Sequence, residues 1–552
     1  MKTINLMKVV ACAFLLSTEA GAQTIYDAAK FSGSDLNGTA RFVGMGGAMG
    51  ALGGDISTMG SNPAGIGIYR SNDLMTSFGF NYTSSKSNFN GSIMNSDKYR
   101  GSFDNIGFVY SSKVGNQTAL KYVNFGFNYH KAASFDRDFS MGGNLNGFSQ
   151  TDEMSNMSNS TQYRSALTAS DMSRDNLGVD ANAGWLPILG WNGSLIHPNL
   201  DLNTPGEYTG FPGNDPSGSY TSRERGGIDV YDFNVSFNIN DRVYLGFTLG
   251  AYDLNYRKDI YYGEKFPTSY NPLDKDKNEL PYFLANSDYS YSLESFMNTT
   301  GTGVDFKLGG IFRPVEDSPL RIGATIHTPT FYNLTMYNSA VLTSNADVNK
   351  DGYIIRYVDT DPKYKSYYID TYEDMHNRDC MTEYQLRTPW KYNLSLGYTI
   401  GRNVALGAEY EYQDYSTAKL SYSDGVKMYD ENSMINSYLK GVSTLRLGAE
   451  IKLVPEFAIR AGYNYRSTAF SNDAYKELPV NSVRTDTDYA NQQSISNYTL
   501  GLGYRTGSFY ADIAYQYSAY KEDFYAFNIL NLEKTKVNND KQQVLLTLGF
   551  RF

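Results

Sequence analysis

The chain has 552 residues, 58 acidic against 48 basic side chains, a formal charge of -10 and 41% apolar residues, with 48 Tyr, 30 Phe and 51 Gly. The acidic balance excludes a nucleic-acid partner, which draws on clustered Lys and Arg, and past the N-terminus no run of about 18 apolar residues offers a helical membrane span. Many aromatics and glycines at moderate apolarity favour strands over helices.

Lys2 and Lys8, the apolar run Val9 to Leu16 and the small-x-small site Ala20-Gly21-Ala22 read as an export signal over 1–22, with the mature chain starting at Gln23. Cys12 precedes the better apolar run, which argues against a lipid anchor. With Cys12 removed, Cys380 is alone, so neither a disulfide nor a thiolate metal cluster is expected.

Residues 23–73 do not alternate and are rich in glycine and alanine. Gly44, Gly46 and Gly47, then Asp55, then Asn62-Pro63-Ala64-Gly65 punctuate this stretch. No register gives G-x-G-x-x-G or a Walker Lys-Ser/Thr pair, so a phosphate loop is set aside. The stretch reads instead as a compact plug packed in or beneath a lumen, where glycine permits close backbone contact.

From residue 74 onward, segments of about ten residues alternate large apolar with small or polar side chains, the period-2 pattern of a two-faced strand. Strands are expected near 74–83, 103–111, 122–130, 228–239, 243–256, 301–313, 320–329, 390–400, 404–412, 443–453, 457–467, 497–505, 509–519 and 542–552. Asn240-Asp241-Arg242, Gly401-Arg402-Asn403, Val454-Pro455-Glu456 and Thr506-Gly507-Ser508 are tight connections. The stretches 131–227, 257–300, 330–389 and 413–442 are long and polar. This asymmetry, an even strand number and Tyr or Phe near strand ends (Tyr82, Tyr110, Tyr129, Tyr398, Tyr412, Tyr465) predict a transmembrane antiparallel β-barrel of the bacterial outer membrane, all-β, with fourteen strands over 74–552. A soluble sandwich would have to bury Lys307, Glu409, Arg446, Glu450 and Asp512 in its core, which is costly. Val544, Leu546, Leu548, Phe550 and the terminal Phe552 share one face, the kind of final strand by which such proteins meet their assembly machinery.

The run Gly44-Met45-Gly46-Gly47-Ala48, with Asp55 and Asn62-Pro63-Ala64-Gly65, resembles the N-terminal hatch of the FadL/TodX family of outer-membrane transporters. Echoes follow at Leu320-Arg321-Ile322-Gly323-Ala324, Leu386-Arg387-Thr388-Pro389-Trp390, Tyr410-Glu411-Tyr412 and Leu445-Arg446-Leu447-Gly448-Ala449-Glu450. The resemblance implies a plugged fourteen-strand barrel that passes long-chain fatty acids or other hydrophobic compounds. It also implies a sideways exit at a kink in the third strand, for which Asn124-Phe125-Gly126 is the candidate. The alternatives are a surface adhesin or a general diffusion porin, and a plug argues against the porin.

Trp185, Leu186, Pro187, Ile188, Leu189 and Trp191 form an apolar island in the loop 131–227, either a capture groove or the loop's own core. Arg321, Arg446 and Arg460 are candidates for holding a ligand carboxylate, against pairing with Glu409, Glu411 or Glu450. Asp347, Asn349, Asp351 and Tyr353 match the first half of a calcium loop, but Val358 stands where a bidentate Glu is expected, so calcium and an Asp/Asn turn both stay open. No other cofactor is expected, no G-x-S-x-G elbow marks an enzyme, and the expected partners are a hydrophobic ligand and outer-membrane lipids.

Overall fold

The computed structural model describes residues 23–159, 167–168, 170–177, 183–198, 207–210, 216–266, 289–315, 318–344, 367–479 and 481–552. The alternating segments form β1 (Asp73–Phe89), β2 (Ser92–Lys113), β3 (Leu120–Ser134, resumed at Arg137–Asn144), β4 (Ser217–Ile239), β5 (Val243–Phe266), β6 (Tyr289–Phe312), β7 (Arg321–His327, resumed at Phe331–Ser344) and β8 (Cys380–Arg387, resumed at Lys391–Ile400). They continue as β9 (Val404–Asp414, resumed at Lys419–Tyr422), β10 (Gly441–Lys452), β11 (Phe457–Arg466), β12 (Tyr489–Thr506), β13 (Phe509–Tyr525) and β14 (Thr535–Arg551). Each strand pairs antiparallel with its chain neighbours, and β14 returns to β1 from Asp73↔Arg551 to Asn88↔Lys536. The result is a closed fourteen-strand barrel. The interruptions of β7 and β8 fall at Pro329 and Pro389, which have no N–H to donate. The Thr330 amide donates to Thr388 Oγ1 at 2.7 Å and the Thr388 amide to Thr330 O at 3.1 Å, which stitches the two breaks together.

The alternation sorts side chains by solvent. Leu394, Leu500 and Leu502, at 63%, 62% and 59% exposed, belong to an outward apolar band that only lipid can cover. Above it lie tyrosines whose rings face lipid while their hydroxyls reach polar groups. Tyr82 donates to Asp97 at 3.1 Å, Tyr129 to Asp229 at 3.0 Å and Tyr517 to Asp540 at 2.6 Å. Inward positions carry charge in compensated sets: Lys307 with Asp232 and Asp305, Arg460 with Glu450 and Asp512.

The strands run further than the sequence pattern indicates. β4, β5 and β6 are 23, 24 and 24 residues long and consume much of the expected loops. β1 and β2 form one long hairpin closed by Asn90-Gly91 at φ 49° and 86°, where 84–102 had no strand expected. Above the tyrosine girdle the outer face meets water, so alternation of apolar with polar residues no longer marks a strand.

Residues 33–69 lie inside the barrel's short-turn half. α1 (Ile25–Ser32) stands above them, and α2 (Ala40–Gly44) is followed by tight turns and two short 3-10 segments, Ile56–Met59 and Pro63–Ile68. The hatch backbone touches the wall where the wall has glycine. A Cβ at Gly407 would sit 2.0 Å from Ala48 O, and one at Gly462 would sit 2.2 Å from Gly46 N. Gly46 itself adopts φ 61°, a conformation that glycine takes without strain. We predict that Leu500→Arg, at a lipid-facing position, destabilises the folded barrel by about 2–4 kcal/mol. Urea unfolding in lipid vesicles checks this, and a neutral result would contradict a lipid-covered band.

Candidate functional site

The floor of the lumen is built by the predicted hatch residues. Asn62 caps the second 3-10 turn, its Oδ1 accepting from the Ala64 amide at 3.1 Å, and Pro63 takes the first helical position. Asn62 Nδ2 donates to Gly50 O at 2.9 Å and to Gly310 O of β6 at 3.2 Å, so one side chain ties two hatch segments to the wall. Asp55 accepts from Thr39 Oγ1 and from the Ser57 amide at 2.9 and 3.0 Å. Gly65 lies against Gly53 and Thr58, and the Gly44 carbonyl accepts from Thr499 Oγ1 at 3.3 Å. Gly47 packs against Arg446, whose Cδ would lie 3.1 Å from an added Cβ.

The three arginines that are candidates for a ligand carboxylate are already engaged, two of them with the glutamates named as the alternative. Arg446 binds Glu409 and Glu411 (the latter at 3.1 Å), and Arg460 binds Glu450 at 2.7 Å and Asp512. Arg321 donates to Leu52 O of the hatch at 2.7 Å. All three hold the floor together, because a buried guanidinium needs a partner whether or not ligand is present. Arg41 of α2 adds a fourth such contact, to Glu450 at 2.9 Å.

Above the floor is a chamber of about 460 Å³. Its wall includes Phe31, Phe135, Tyr252, Tyr256 and Tyr332 on one side and Asn464, Arg466, Asn497, Gln516, Ser518 and Asn539 on the other. Its roof is lined by Lys476, Arg484, Asp486 and Asp488, backed by α3 (Gln150–Asn159) and α4 (Trp185–Asn192), the Trp185 amide donating to Ser482 O at 2.9 Å. Arg484 pairs with Asp27 of α1 and with Asp486, while Lys258 meets Asp488 at 2.6 Å. Trp185, Leu186, Ile188 and Leu189 are at most 1% exposed, and Trp185 Nε1 donates to Leu177 O at 3.1 Å. Of the two readings, the capture groove is not found and the loop's own core is: the four side chains are packed inside, with Trp191 half-buried at the edge, edge-on against Tyr208.

Among the described residues the β2–β3 ladder is interrupted, but not at the place expected. Asn124-Phe125-Gly126 is regularly paired, to Val109 and Ser111 on one side and to Asn234 and Ser236 on the other. Asn124 Nδ2 holds Ile66 O and Tyr69 O at 2.7 and 3.0 Å, and Gly126 makes room for Met59 of the hatch, so no kink occurs there. Instead the β2–β3 ladder ends at Asn105↔His130. β2 bulges between Asn105 and Phe103 and from Asp104 upward follows β1 alone, while β3 bulges after Lys131 and follows β4 alone. Hatch residues occupy the gap. The Asp35 amide donates to Ala132 O at 2.8 Å, and Asp35 Oδ2 accepts from the Ser134 amide at 3.2 Å and from Lys541 at 3.0 Å. Asn37 Nδ2 bridges Asp104 Oδ1 at 2.9 Å and Lys131 O at 3.1 Å. Higher up, only side chains cross: Lys98 to Asp138 at 2.8 Å, and Arg100 to Asp136. The chamber reaches these same residues, Asp35, Asn37 and 131–137.

Asp347, Asn349, Asp351 and Tyr353 lie outside the described residues. Among the described residues no group of three or more His, Cys, Asp or Glu side chains gathers to hold a metal.

Among known proteins, a Pseudomonas aeruginosa FadL homologue of solved structure is similar over 94% of this chain and 99% of its own, at 13% identity and a TM-score of 0.46. The Pseudomonas putida toluene transporter TodX is similar over 94% and 100%, at 11% identity and a TM-score of 0.46. For the Ralstonia pickettii toluene transporter TbuX the figures are 94%, 99%, 13% and 0.42. No family model matches the chain, and no curated protein matches it. FadL and TodX give their names to the family that the glycine-rich segment resembles.

Besides Asp486 and Asp488, the roof carries two further buried carboxyls, Glu264 and Glu153, outside the membrane-spanning band. Glu264 accepts from Ser149 Oγ, the Gln150 amide and Tyr262 at 2.6–2.7 Å, and Glu153 of α3 accepts from the Asn528 amide at 2.9 Å. Burial pushes Glu264 up to about 7 and Glu153 up to about 8. A raised folded-state value means the closed roof binds protons that the loosened chain releases. Its stabilisation is full below the ordinary value of 4.5 and is lost as pH rises to about 8. Hydrogen exchange of α3 amides is expected to quicken across that window in the wild type and to flatten in Glu153→Gln/Glu264→Gln; an unchanged slope would contradict the assignment.

Proposed function

We propose that this chain conducts small apolar or amphipathic molecules across the outer membrane, passing them from the lumen chamber through the β2/β3 gap into the surrounding bilayer. The single observation that carries this is the loss of backbone pairing between β2 and β3 above Asn105 and His130, with hatch residues supplying the missing partners. Unpaired N–H and C=O groups facing lipid cost several kcal/mol each, so a barrel keeps such a gap only where another element meets it. The element that meets it here belongs to the plug, and it is held at that point by a handful of hydrogen bonds rather than by a ladder.

The gap begins where the outer surface passes from Phe80 and Phe103 to Tyr82, Tyr99 and Tyr129, all lipid-side residues. Moving residues 34–38 aside joins the chamber to acyl chains at that level. Each Å² of apolar ligand surface then leaves water for lipid with a gain of about 25 cal/mol, so the ligand's own partition supplies the driving force. The ion-paired floor is not required to move, and the barrel needs no open aqueous pore.

Joining Asn37→Cys to Asp104→Cys with a short cleavable bis-thiol linker, in a Cys380→Ser background, closes this route. Uptake of a fluorescent acyl probe is expected to fall to background and to recover on cleavage of the linker. Undiminished uptake with complete cross-linking would exclude the gap as the exit.

A further inference from the structure

Above the tyrosine girdle, the outer face of β4 and β5 carries positive charge that the protein leaves unanswered. Strand alternation turns Glu224 and Lys258 inward, where they meet Lys30 and Asp488. It turns Arg223 and Arg225 of β4 and Arg257 and Asp259 of β5 outward, and the three arginines are exposed. Register sets Arg225 directly opposite Arg257 and Arg223 opposite Asp259. Side chains opposite one another on one face of an antiparallel pair have Cβ atoms about 5 Å apart, and like charges so placed destabilise the pair.

The neighbouring carboxylates are already shared. Asp259 accepts from Arg257 at 3.1 Å, and Asp138, opposite Arg223 on β3, pairs with Lys98 at 2.8 Å. Arg223 and Arg225 form no ion pair among the described residues. Phe296 of β6 lies under Arg257, its ring centroid 4.7 Å from Cζ, which steadies that guanidinium against the wall. In a chain of formal charge -10, a basic pair kept face to face is a place for an anion from outside. One phosphate between two guanidinium forks can accept from both and turns their repulsion into attraction.

Height decides which phosphate. Arg225 stands six positions above Tyr231 along β4. At about 3.3 Å of rise per residue on a strand tilted about 40°, that is about 15 Å beyond the tyrosine rings. Those rings sit at headgroup level, so the phosphate of an ordinary phospholipid stays below the pair. A lipid phosphate reaches the arginines only when it is carried on a larger, saccharide head.

We propose that this face binds the phosphorylated saccharide head of an outer-leaflet glycolipid, with Arg225 and Arg257 taking one phosphate between them and Arg223 beside it. The glycolipid then stands against β4, next to the strand that borders the gap. The binding does not rest on the transport reading.

The test is thermophoretic titration of the full-length, detergent-solubilised barrel with core-bearing lipopolysaccharide. Wild type is expected to bind it about tenfold more tightly than the same preparation stripped of phosphate with hydrofluoric acid, and about tenfold more tightly than phosphatidylglycerol. Arg225→Gln with Arg257→Gln is expected to abolish that preference, in protein that keeps the folded barrel's mobility on unheated gels. Lys86→Gln with Lys536→Gln, which removes the same charge from exposed positions on β1 and β14, is expected to keep it. Equal binding of the dephosphorylated glycolipid or of phosphatidylglycerol by the wild type overturns the proposal. So does a preference that survives in the folded arginine variant or disappears in the lysine variant. Inorganic phosphate at equal concentration is expected not to compete, and full competition would assign the site to free phosphate and overturn the lipid assignment.

Discussion

Inside lipid a peptide group has no water to bond, and each unpaired N–H or C=O costs several kcal/mol. Fourteen strands meet this constraint by closing on one another, β14 against β1. The same constraint shapes the interior. Where the hatch needs bonds it takes them from inward side chains, Asn124 to Ile66 and Tyr69, Asn234 to Pro63 and Arg321 to Leu52, and where it needs room the wall supplies glycine. At the interruption between β2 and β3, Asp35 and Asn37 stand in for the absent strand. The plug is thus part of the wall's bonding as well as a filling of its bore.

The lumen divides by how completely its charges are answered. In the floor, Arg41, Arg446 and Arg460 and their carboxylates form closed sets, and removing one partner of such a set costs about 3–5 kcal/mol. Those contacts belong to architecture. In the chamber above, Arg466 forms no ion pair among the described residues and donates to Ser34 O at 3.0 Å. Beside the gap, Lys98–Asp138 and Arg100–Asp136 are side-chain contacts only, separable at lower cost than a strand ladder.

Much of this was legible in the chain. Period-2 alternation locates the membrane-crossing part of every strand, because lipid and lumen impose opposite demands on adjacent residues. It falls silent above the girdle, which is why the tall β4–β6 wall was read as loop, although Asn90-Gly91 announced a tight hairpin. The apolar island at Trp185 could not be divided between groove and core, since both use the same residues. Asn124-Phe125-Gly126 is the candidate for the kink that the family resemblance implies, yet Gly126 admits Met59. The informative signal was the consecutive inward pair Asp104-Asn105, which breaks the period where the strands part.

Site-resolved hydrogen exchange on the barrel reconstituted in lipid probes the hatch-for-strand substitution most directly. The account predicts that the Asp35 and Ser134 amides exchange as slowly as those of the Asn105–Lys113 ladder, with the β2 amides above Asp104 faster. Exchange at Asp35 as rapid as in the Asn240-Asp241-Arg242 turn would show that the plug does not complete the wall.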